Sequence, residues 1–249
     1  MLRNVKSLLG YKMGATDGDI GEVKGFYFDD QTWTVRYLVV ETGNWFSGKK
    51  VLISTDSVQQ PDFNAGVFPI NLTREQIKNG PDIDTEKPVS REHEQLMHEY
   101  YPWNRYWQSG YFTVGMMAYN SMPLEEEIHM RQAEETAEKH THTDTHLRST
   151  SEVKGYSIHA SDGSIGEIDD FVFDDQSWKI EYMVADIGGW FKDKKILIPP
   201  RVIRDIRWEM SEVVVSLSKE EIKDSPHYDE SMTHGDDFDT HFGSYYGRF

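Results

Sequence analysis

The sequence predicts a mainly β protein, with two small antiparallel β-barrels in tandem and a short helix at the end of each. Three observations predict this class. The chain matches itself without gaps at a shift of 145 residues, short apolar segments alternate with turn residues in both copies, and a helix-start pattern closes each copy. Several short strands joined by tight turns are typical of a closed or half-closed barrel.

The internal repeat sets the domain organisation. About 28 of roughly 72 positions are identical between residues 10–81 and residues 155–226. A repeat of this length indicates duplicated domains, since the units of a solenoid have only about 20 to 50 residues. We therefore predict a first barrel, a partly helical or irregular linker that is aromatic and acidic, a second barrel and a carboxy-terminal tail, over residues 1–87, 88–146, 147–226 and 227–249.

Turn chemistry predicts the first strands of each copy. In the first copy Asp17-Gly18 joins two apolar segments, and this dipeptide supplies the positive φ that a tight hairpin turn needs. The apolar run over residues 20–28 then reaches turn residues 29–32, and apolar residues partly alternate over residues 35–39. These patterns predict two consecutive hairpins that share one strand.

The end of each copy predicts two further strands and a helix. After a glycine turn at residues 43–44, short apolar segments over residues 51–53 and 67–72 predict strands. Thr73 and Gln76 then stand in the order of a capping box, which predicts the start of a short helix. The second copy keeps the same order at the equivalent positions, so both copies are expected to end alike.

The repeated residues resemble the PRC-barrel module. They include Gly10, the DGDIGE stretch from Asp17, the FDDQTW stretch from Phe28, the strand around Tyr37 and the WFSGKK stretch from Trp45. The family includes the soluble domain of the H subunit of purple-bacterial photosynthetic reaction centres and the carboxy-terminal domain of a ribosome maturation factor. The resemblance covers about 80 residues of each copy.

The resemblance implies a docking or scaffold module rather than a particular pathway, because the shared residues serve packing and turns. The sequence lacks the amino-terminal membrane helix of the H subunit and the first domain of the ribosome factor. Neither specific role is therefore expected to carry over. A place beside photosynthetic or electron-transfer complexes is an alternative by analogy with the H subunit.

Net charge and missing motifs argue against several classes of function. The formal charge of -17 disfavours nucleic acid and anionic lipid as direct partners. The sequence has no cysteine, no glycine-rich phosphate loop and no nucleophile-elbow or zinc-protease motif, so we expect no enzyme activity and no cofactor. No apolar run reaches the length of a signal peptide or a membrane span, and we expect a cytoplasmic protein without membrane insertion.

Aromatic residues are the candidates for partner contact. One set follows a glycine turn in each copy and could either touch a partner or cap the barrel core. The other set stands in the linker and could either pack on the first barrel or form an exposed patch that joins protomers or holds a partner. These candidates are Trp45, Phe46, Trp190, Phe191, Tyr101, Trp103 and Trp107.

Carboxylates recur at equivalent positions in both copies. The pairs are Asp17 and Asp162, Glu22 and Glu167, Asp29 and Asp174, and Asp30 and Asp175. Paired carboxylates could serve acid–base chemistry, but the turn signatures around the aspartates favour a structural role. For the glutamates, an ion pair with Lys49 or Lys194 at the barrel edge is possible.

Histidines near the second barrel are the candidates for metal binding. His140, His142 and His146 could bind a transition metal together with Asp144, although short histidine tracts also occur as polar linker. We therefore predict no metal site and keep these residues as candidates. A second group matches no compact ligand spacing: His227, His234 and His241.

The function expected from the sequence is a non-enzymatic scaffold that binds a protein partner or a second copy of itself, with a homodimer as one form. Duplication without a catalytic constellation is the reason. One alternative is a small-ligand or metal-binding stress-type protein, with the linker histidines or the cleft between the barrels as its site. The other is an accessory to photosynthetic or electron-transfer complexes, which would need a protein receptor because the charge repels anionic lipid.

Overall fold

The computed structural model describes residues 1–81, 89–108, 146–189, 194–234 and 242–247. The strands are β1 (Leu2–Asn4), β2 (Lys12–Ala15), β3 (Gly18–Asp29), β4 (Thr34–Thr42), β5 (Lys50–Ser54), β6 (Val67–Pro69), β7 (Leu147–Ser149), β8 (Ser157–Ala160), β9 (Gly163–Asp174), β10 (Ile180–Asp186), β11 (Lys195–Ile198), β12 (Ile203–Arg207) and β13 (Glu212–Val215). The α-helices are α1 (Val5–Leu8), α2 (Arg74–Asn79), α3 (Arg91–Tyr100), α4 (Thr150–Val153), α5 (Lys219–Asp224) and α6 (Ser244–Tyr246). No helix in these ranges is both long and apolar enough to cross a membrane.

The strands form two sheets, one for each copy of the repeat. The sheet of the first unit has the order β5-β4-β3-β2-β6, and the sheet of the second unit has the order β11-β10-β9-β8-β13-β12. This arrangement confirms the predicted mainly β class with two tandem units. One pair in each unit departs from the antiparallel pattern, since β2 with β6 and β8 with β13 are parallel. A parallel pair needs a long connection, and the strands between the two partners supply it.

The two ends of the first sheet approach each other. Gln59 N donates to Pro69 O at 2.8 Å and Asn71 N donates to Ser57 O at 3.0 Å, which joins the chain after β5 to the chain around β6. The long strand β3 has 12 residues and shifts register twice against β4. Register shifts of this kind bend a strand. The sheet therefore curls around its apolar side chains.

The hairpin aspartate of each unit holds the helix at the end of that unit. Asp17 Oδ1 accepts a hydrogen bond from Arg74 N, and Asp162 Oδ1 accepts one from Lys219 N, both at 2.8 Å. The capping boxes predicted at the starts of α2 and α5 are both formed. These bonds satisfy backbone N–H groups that a helix start leaves without intrahelical partners.

Each sheet receives a strand from the other half of the chain. β1 precedes the first unit but pairs with β9 of the second, and β7 precedes the second unit but pairs with β3 of the first. The registers correspond, because Leu2 lies opposite Asp174 and Leu147 lies opposite Asp29. The sequence segments predicted for the two barrels therefore do not coincide with the units in space at these strands.

The two units share one hydrophobic core. The ring of Phe26 lies 6.2 Å from that of Phe173, and the ring of Phe28 lies 5.5 Å from that of Phe171. All four side chains are buried and belong to one continuous cluster with residues of both units. Because apolar burial is the main stabilising contribution in a folded protein, a shared core couples the folding of the two units.

Residues from the predicted linker and tail complete the units. The Tyr100 hydroxyl donates to the carbonyl of Gln76 at 3.1 Å, and the Tyr245 hydroxyl donates to the carbonyl of Glu221. Each bond attaches a tyrosine pair to the helix of its own unit, α2 or α5. The two tyrosine pairs are related by the same shift of 145 residues as the barrels, and each follows its barrel by about 20 residues. The internal repeat therefore extends to these tyrosines.

Candidate functional site

The two units meet through equivalent segments, which we call the exchange interface: β1, β7, residues 28–35 and residues 173–180. Ile180 N donates to Trp33 O at 2.7 Å, and Val35 N donates to Trp178 O at 2.8 Å. Trp33 and Trp178 have φ values of 55° and 59°. Positive φ is unfavourable for a residue with a side chain, so these bonds and the packing around them hold both turns in place.

Two arginines connect the units in the same way. Arg3 Nε lies 2.8 Å from Asp175 Oδ2, and its guanidinium lies 3.5 Å from the centre of the Phe63 ring. Arg148 Nε lies 3.1 Å from Asp30 Oδ2, and its guanidinium lies 3.9 Å from the centre of the Trp208 ring. Each arginine thus contacts an aromatic ring of one unit and a carboxylate at the edge of the other.

The two aspartates of the repeated Asp-Asp pair have different roles, one in the turn and one at the exchange interface. Asp29 Oδ1 accepts hydrogen bonds from Gln31 N and Thr32 N, both at 2.9 Å, which is the turn role predicted from the sequence. Asp30 does not serve the turn in this way but binds Arg148 across the interface. The sequence interpretation missed this second role, although the Leu-Arg pair that repeats at the start of each copy was its signal.

The structure pairs Glu22 with Lys24 rather than with Lys49, which was one possible partner at the barrel edge. Glu22 Oε2 lies 2.9 Å from the ammonium group of Lys24, which also lies 3.4 Å from Glu41. Residues two apart on a strand share a face, so Lys24 reaches Glu22 without crossing the sheet. The hydrogen bond from Lys24 lowers the pKa of Glu22. This is an exposed ion pair of the sheet surface.

A buried carboxyl group anchors the exchanged segment in the second unit. Asp170 accepts hydrogen bonds from Asn4 Nδ2 and from Lys6 N, both at 3.1 Å. The Tyr228 hydroxyl donates to Asn4 Oδ1 at 2.7 Å. Burial raises the pKa of Asp170, and the bonds it accepts oppose that shift. Gly25 stands at the equivalent position of the first unit and has no carboxyl group to play this role.

A buried polar cluster lies between β4 and the linker segment, and we call it the α3 cluster: Tyr37, Arg91, Glu94, His98 and Tyr106. Glu94 Oε1 accepts hydrogen bonds from the hydroxyl groups of Tyr37 at 2.9 Å and Tyr106 at 2.6 Å, and Glu94 Oε2 lies 2.7 Å from Arg91 Nη1. His98 Nε2 lies 2.8 Å from the Tyr37 hydroxyl. Burial raises the pKa of Glu94 and lowers that of His98 to about 4.

The sequence interpretation missed the α3 cluster as a unit. Arg91, Glu94 and His98 follow one another at intervals of three and four residues, which places them on one helix face. That spacing was the available signal. The cluster joins polar side chains whose buried atoms need partners, so it fixes one docking position for α3 on the first unit.

The linker aromatics fall into two environments. Tyr101 and Trp103 are 7% and 6% exposed and stack with ring centres 4.2 Å apart, and Trp103 Nε1 donates to Ser57 Oγ at 2.5 Å. Tyr101 and Trp103 therefore pack on the first barrel, which is one of the two alternatives considered for the linker aromatics. Trp107 is half-buried, and its ring centre lies 4.7 Å from that of His98 in an edge-to-face arrangement. It remains a candidate for contact.

The aromatic pair after the glycine turn lies at the surface of the first unit. Trp45 and Phe46 are half-buried and stack with ring centres 5.5 Å apart. Trp45 Nε1 donates to Ile20 O at 2.6 Å, so its ring caps the barrel. The equivalent candidates Trp190 and Phe191 lie outside the described residues. Partner contact through these positions stays a prediction.

The histidine candidates do not come together in the described part of the chain. His146 Nδ1 lies 3.4 Å from Asp30 Oδ1 at the exchange interface, while His140 and His142 lie outside the described residues. Among the residues that the structure describes, no group of three or more histidine, aspartate or glutamate side chains could hold a metal ion. Of the later group, the His227 side chain is described, and those of His234 and His241 are not.

Comparison with known proteins identifies the family. The PRC-barrel domain family matches residues 7–77 and 147–222, which together are more than half of the chain. The chain therefore belongs to the PRC-barrel family and carries its domain twice. An uncharacterised protein of Deinococcus radiodurans is 30% identical over 79 residues, which are 32% of this chain. The match spans 28% of that relative's length, so it concerns one domain.

The interface ion pair provides a first prediction. Because Asp30 and Arg148 are only 14% and 18% exposed, Asp30→Ala should lower the free energy of unfolding by about 1 to 3 kcal/mol. The double variant Asp30→Ala/Arg148→Ala should be less destabilised than the sum of the single variants, with a coupling of about 1 kcal/mol. Denaturant unfolding measures both. Equal coupling in the exposed Glu22–Lys24 pair would contradict a special role for the interface.

The α3 cluster provides a second prediction. His98 titrates near its ordinary pKa of 6.5 when unfolded and near 4 when folded, because burial disfavours its charged form. Its contribution to stability is therefore full above pH 6.5 and is lost as the pH falls toward 4, by up to about 3 kcal/mol. In His98→Gln, which keeps an N–H donor for the Tyr37 oxygen, thermal unfolding should vary less over this range. The shared effect of Glu94 cancels in the comparison, and parallel pH profiles would contradict the prediction.

Proposed function

We propose that this PRC-barrel protein is a non-enzymatic scaffold that binds a protein partner on a surface of fixed shape. The observation that carries the proposal is the use of the repeated aspartates. Asp17 holds a helix start, Asp29 holds a turn and Asp30 binds Arg148 of the other half. Asp17 and Asp29 thus serve the structure of their own unit and Asp30 connects the two units, so these repeated carboxylates have structural partners in place of a substrate.

The shared core gives such a scaffold its value. If the two units could rotate freely, a partner that contacts both would lose binding free energy because it would have to fix their orientation. Two units held in a fixed orientation avoid this loss. The pseudo-twofold arrangement also suits a partner that is itself symmetric, or a second copy of the chain. With a net charge of -17, direct binding to nucleic acid or anionic lipid is unfavourable, so we expect a protein partner.

We place one contact at the corner formed by Trp45 and Phe46. The Trp45 indole is anchored by its bond to Ile20 O, which leaves Phe46 as the half-buried ring that stacks on it. The Lys49 ammonium lies 5.3 Å from the centre of the Phe46 ring, and the Arg74 guanidinium lies 5.4 Å from that of Trp45. An aromatic ring bordered by cations is a favourable contact for a protein surface that offers apolar and acidic groups.

Two measurements on the same preparation test the proposal. Untagged protein is purified from its source cells, its metal content is determined, and proteins that remain bound are quantified. We expect a partner in a fixed ratio to the chain and metal far below one equivalent. Phe46→Ala should reduce the bound partner by about tenfold, since truncating a central contact costs about 1.4 kcal/mol or more, without changing the melting temperature.

A matched control keeps the result specific. Phe63→Ala removes another aromatic ring of the first unit, one that packs under Arg3, and should lower the melting temperature more than it lowers partner binding. One equivalent of metal that disappears in His146→Ala would contradict the scaffold proposal and favour the metal-binding alternative. A chain that is recovered without any bound protein and elutes as a monomer would also contradict it.

A further inference from the structure

The strand β12 forms an edge of the second sheet. It pairs with β13 on one side, and Ile203 N at its start donates to Pro200 O, while within the described residues no strand pairs with the outer side of residues 204–207. The first unit has no counterpart, because its residues 58–62 make only isolated bridges, Val58 with Ile70 and Asp62 with Val67. An edge strand with unpaired N–H and C=O groups is a template for pairing with another strand.

A shallow cleft of about 200 Å³ lies along this edge. One wall is β12 with Trp208, and the other is formed by Asp30 and Trp33 of the first unit. The cleft thus borders the exchange interface, whose two walls are held together by Arg148 on Asp30 and on Trp208. Its volume of about 200 Å³ is below the range of about 300 to 1,000 Å³ that is usual for pockets enclosing a small molecule, so it suits a segment that lies on the surface along β12.

A difference between the two copies leaves space beside Trp33. In the first unit, the ring of Phe68 lies 6.2 Å from Trp178, which also stacks on Phe173 at 5.4 Å. The position equivalent to Phe68 in the second unit is Val213, which has no ring. Trp33 therefore has a single aromatic neighbour of its own unit, Phe28, at 5.7 Å, and its remaining surface borders the cleft.

We propose that this cleft binds an extended peptide segment of a partner protein, which adds to β12 as a further strand. The inference rests on the proposed scaffold function and names the partner's binding element. Backbone hydrogen bonds to β12 would provide affinity that does not depend on side chains, and an apolar side chain of the peptide would lie between Trp33 and Ile206.

Charge complementarity indicates an acidic side chain on the peptide. The charged residues that line the cleft are Arg204, Asp30 and Asp205, and both aspartates are already paired, Asp30 with Arg148 and Asp205 with Arg207. Arg207 is paired with Asp205 and Glu212, both at 3.4 Å, whereas Arg204 is exposed and makes no ion pair within the described ranges. A carboxylate on the added strand, opposite or diagonal to Arg204, would supply its partner.

A second folded copy fits this edge less well than a peptide. Two copies would pair β12 antiparallel about a twofold axis, and registers centred on Arg204 or Asp205 would place like charges opposite each other. The net charge of -17 on each copy adds repulsion.

The test uses the full chain and a defined probe. The probe is a fluorescent, end-capped peptide Thr-Val-Glu-Val-Thr-Val, and its control probe has Lys in place of Glu. We expect saturable binding of the Glu probe in fluorescence anisotropy and at least tenfold weaker binding of the Lys probe. Methylation of alternate backbone nitrogens should abolish binding if strand pairing is the mode.

Variants locate the site. Val213→Phe introduces the side chain of the first unit and should weaken binding at least tenfold by filling the cleft. Arg204→Glu lies at the surface, so it tests the site even if Val213→Phe folds poorly, and it should reverse the preference between the two probes. Arg201→Glu is the control, since this exposed arginine does not line the cleft, and binding should stay within twofold.

The outcomes separate this inference from the scaffold proposal. Absence of saturable binding at millimolar probe, or equal binding in Val213→Phe and Arg204→Glu, overturns the peptide cleft. A mass that doubles with concentration in the wild type and not in Arg204→Glu assigns the edge to a second copy, which also overturns it. Partner retention that depends on Phe46 is measured independently, so failure at the cleft leaves that proposal standing.

Discussion

The reciprocal exchange of β1 and β7 is the constraint on which the rest of this structure depends. Each strand fills a position in the sheet of the other half, and each brings an arginine that binds a carboxylate there. The exchange places Phe26 against Phe173 and closes one core around both units. A duplicated domain thereby behaves as one body, and surfaces on its two halves keep a fixed distance.

Duplication also allowed the two halves to diverge without loss of the common frame. The first unit has the α3 cluster, in which Glu94 and His98 bind Tyr37 of β4. The second unit has a full strand at β12, and it has Val213 where the first unit has Phe68. Packing residues stayed alike because each unit completes the other. The differences lie at the periphery, where a partner could make use of them.

Local signals predicted the hairpins and the helix starts, because Asp17-Gly18 and the Thr73 capping box act through their own neighbourhood in the chain. The strand exchange could not be predicted in this way, because the sequence of a short strand does not specify which distant strand it pairs with. Leu2-Arg3 and Leu147-Arg148 repeat in the sequence, but only the fold shows that each serves the opposite half. Likewise, helix spacing aligned Glu94 with His98, while Tyr37 came from a distant strand.

Disulfide trapping tests the exchange most directly, because the natural chain has no cysteine. Leu2 and Asp174 are opposite each other on antiparallel strands, at a Cα separation of about 4.5 to 5.5 Å that a disulfide can bridge. Leu2→Cys/Asp174→Cys should form a disulfide within the monomer. Leu2→Cys/Asp29→Cys, which uses the equivalent aspartate of the first unit, should not. Trapping of the second pair instead of the first would contradict the exchange.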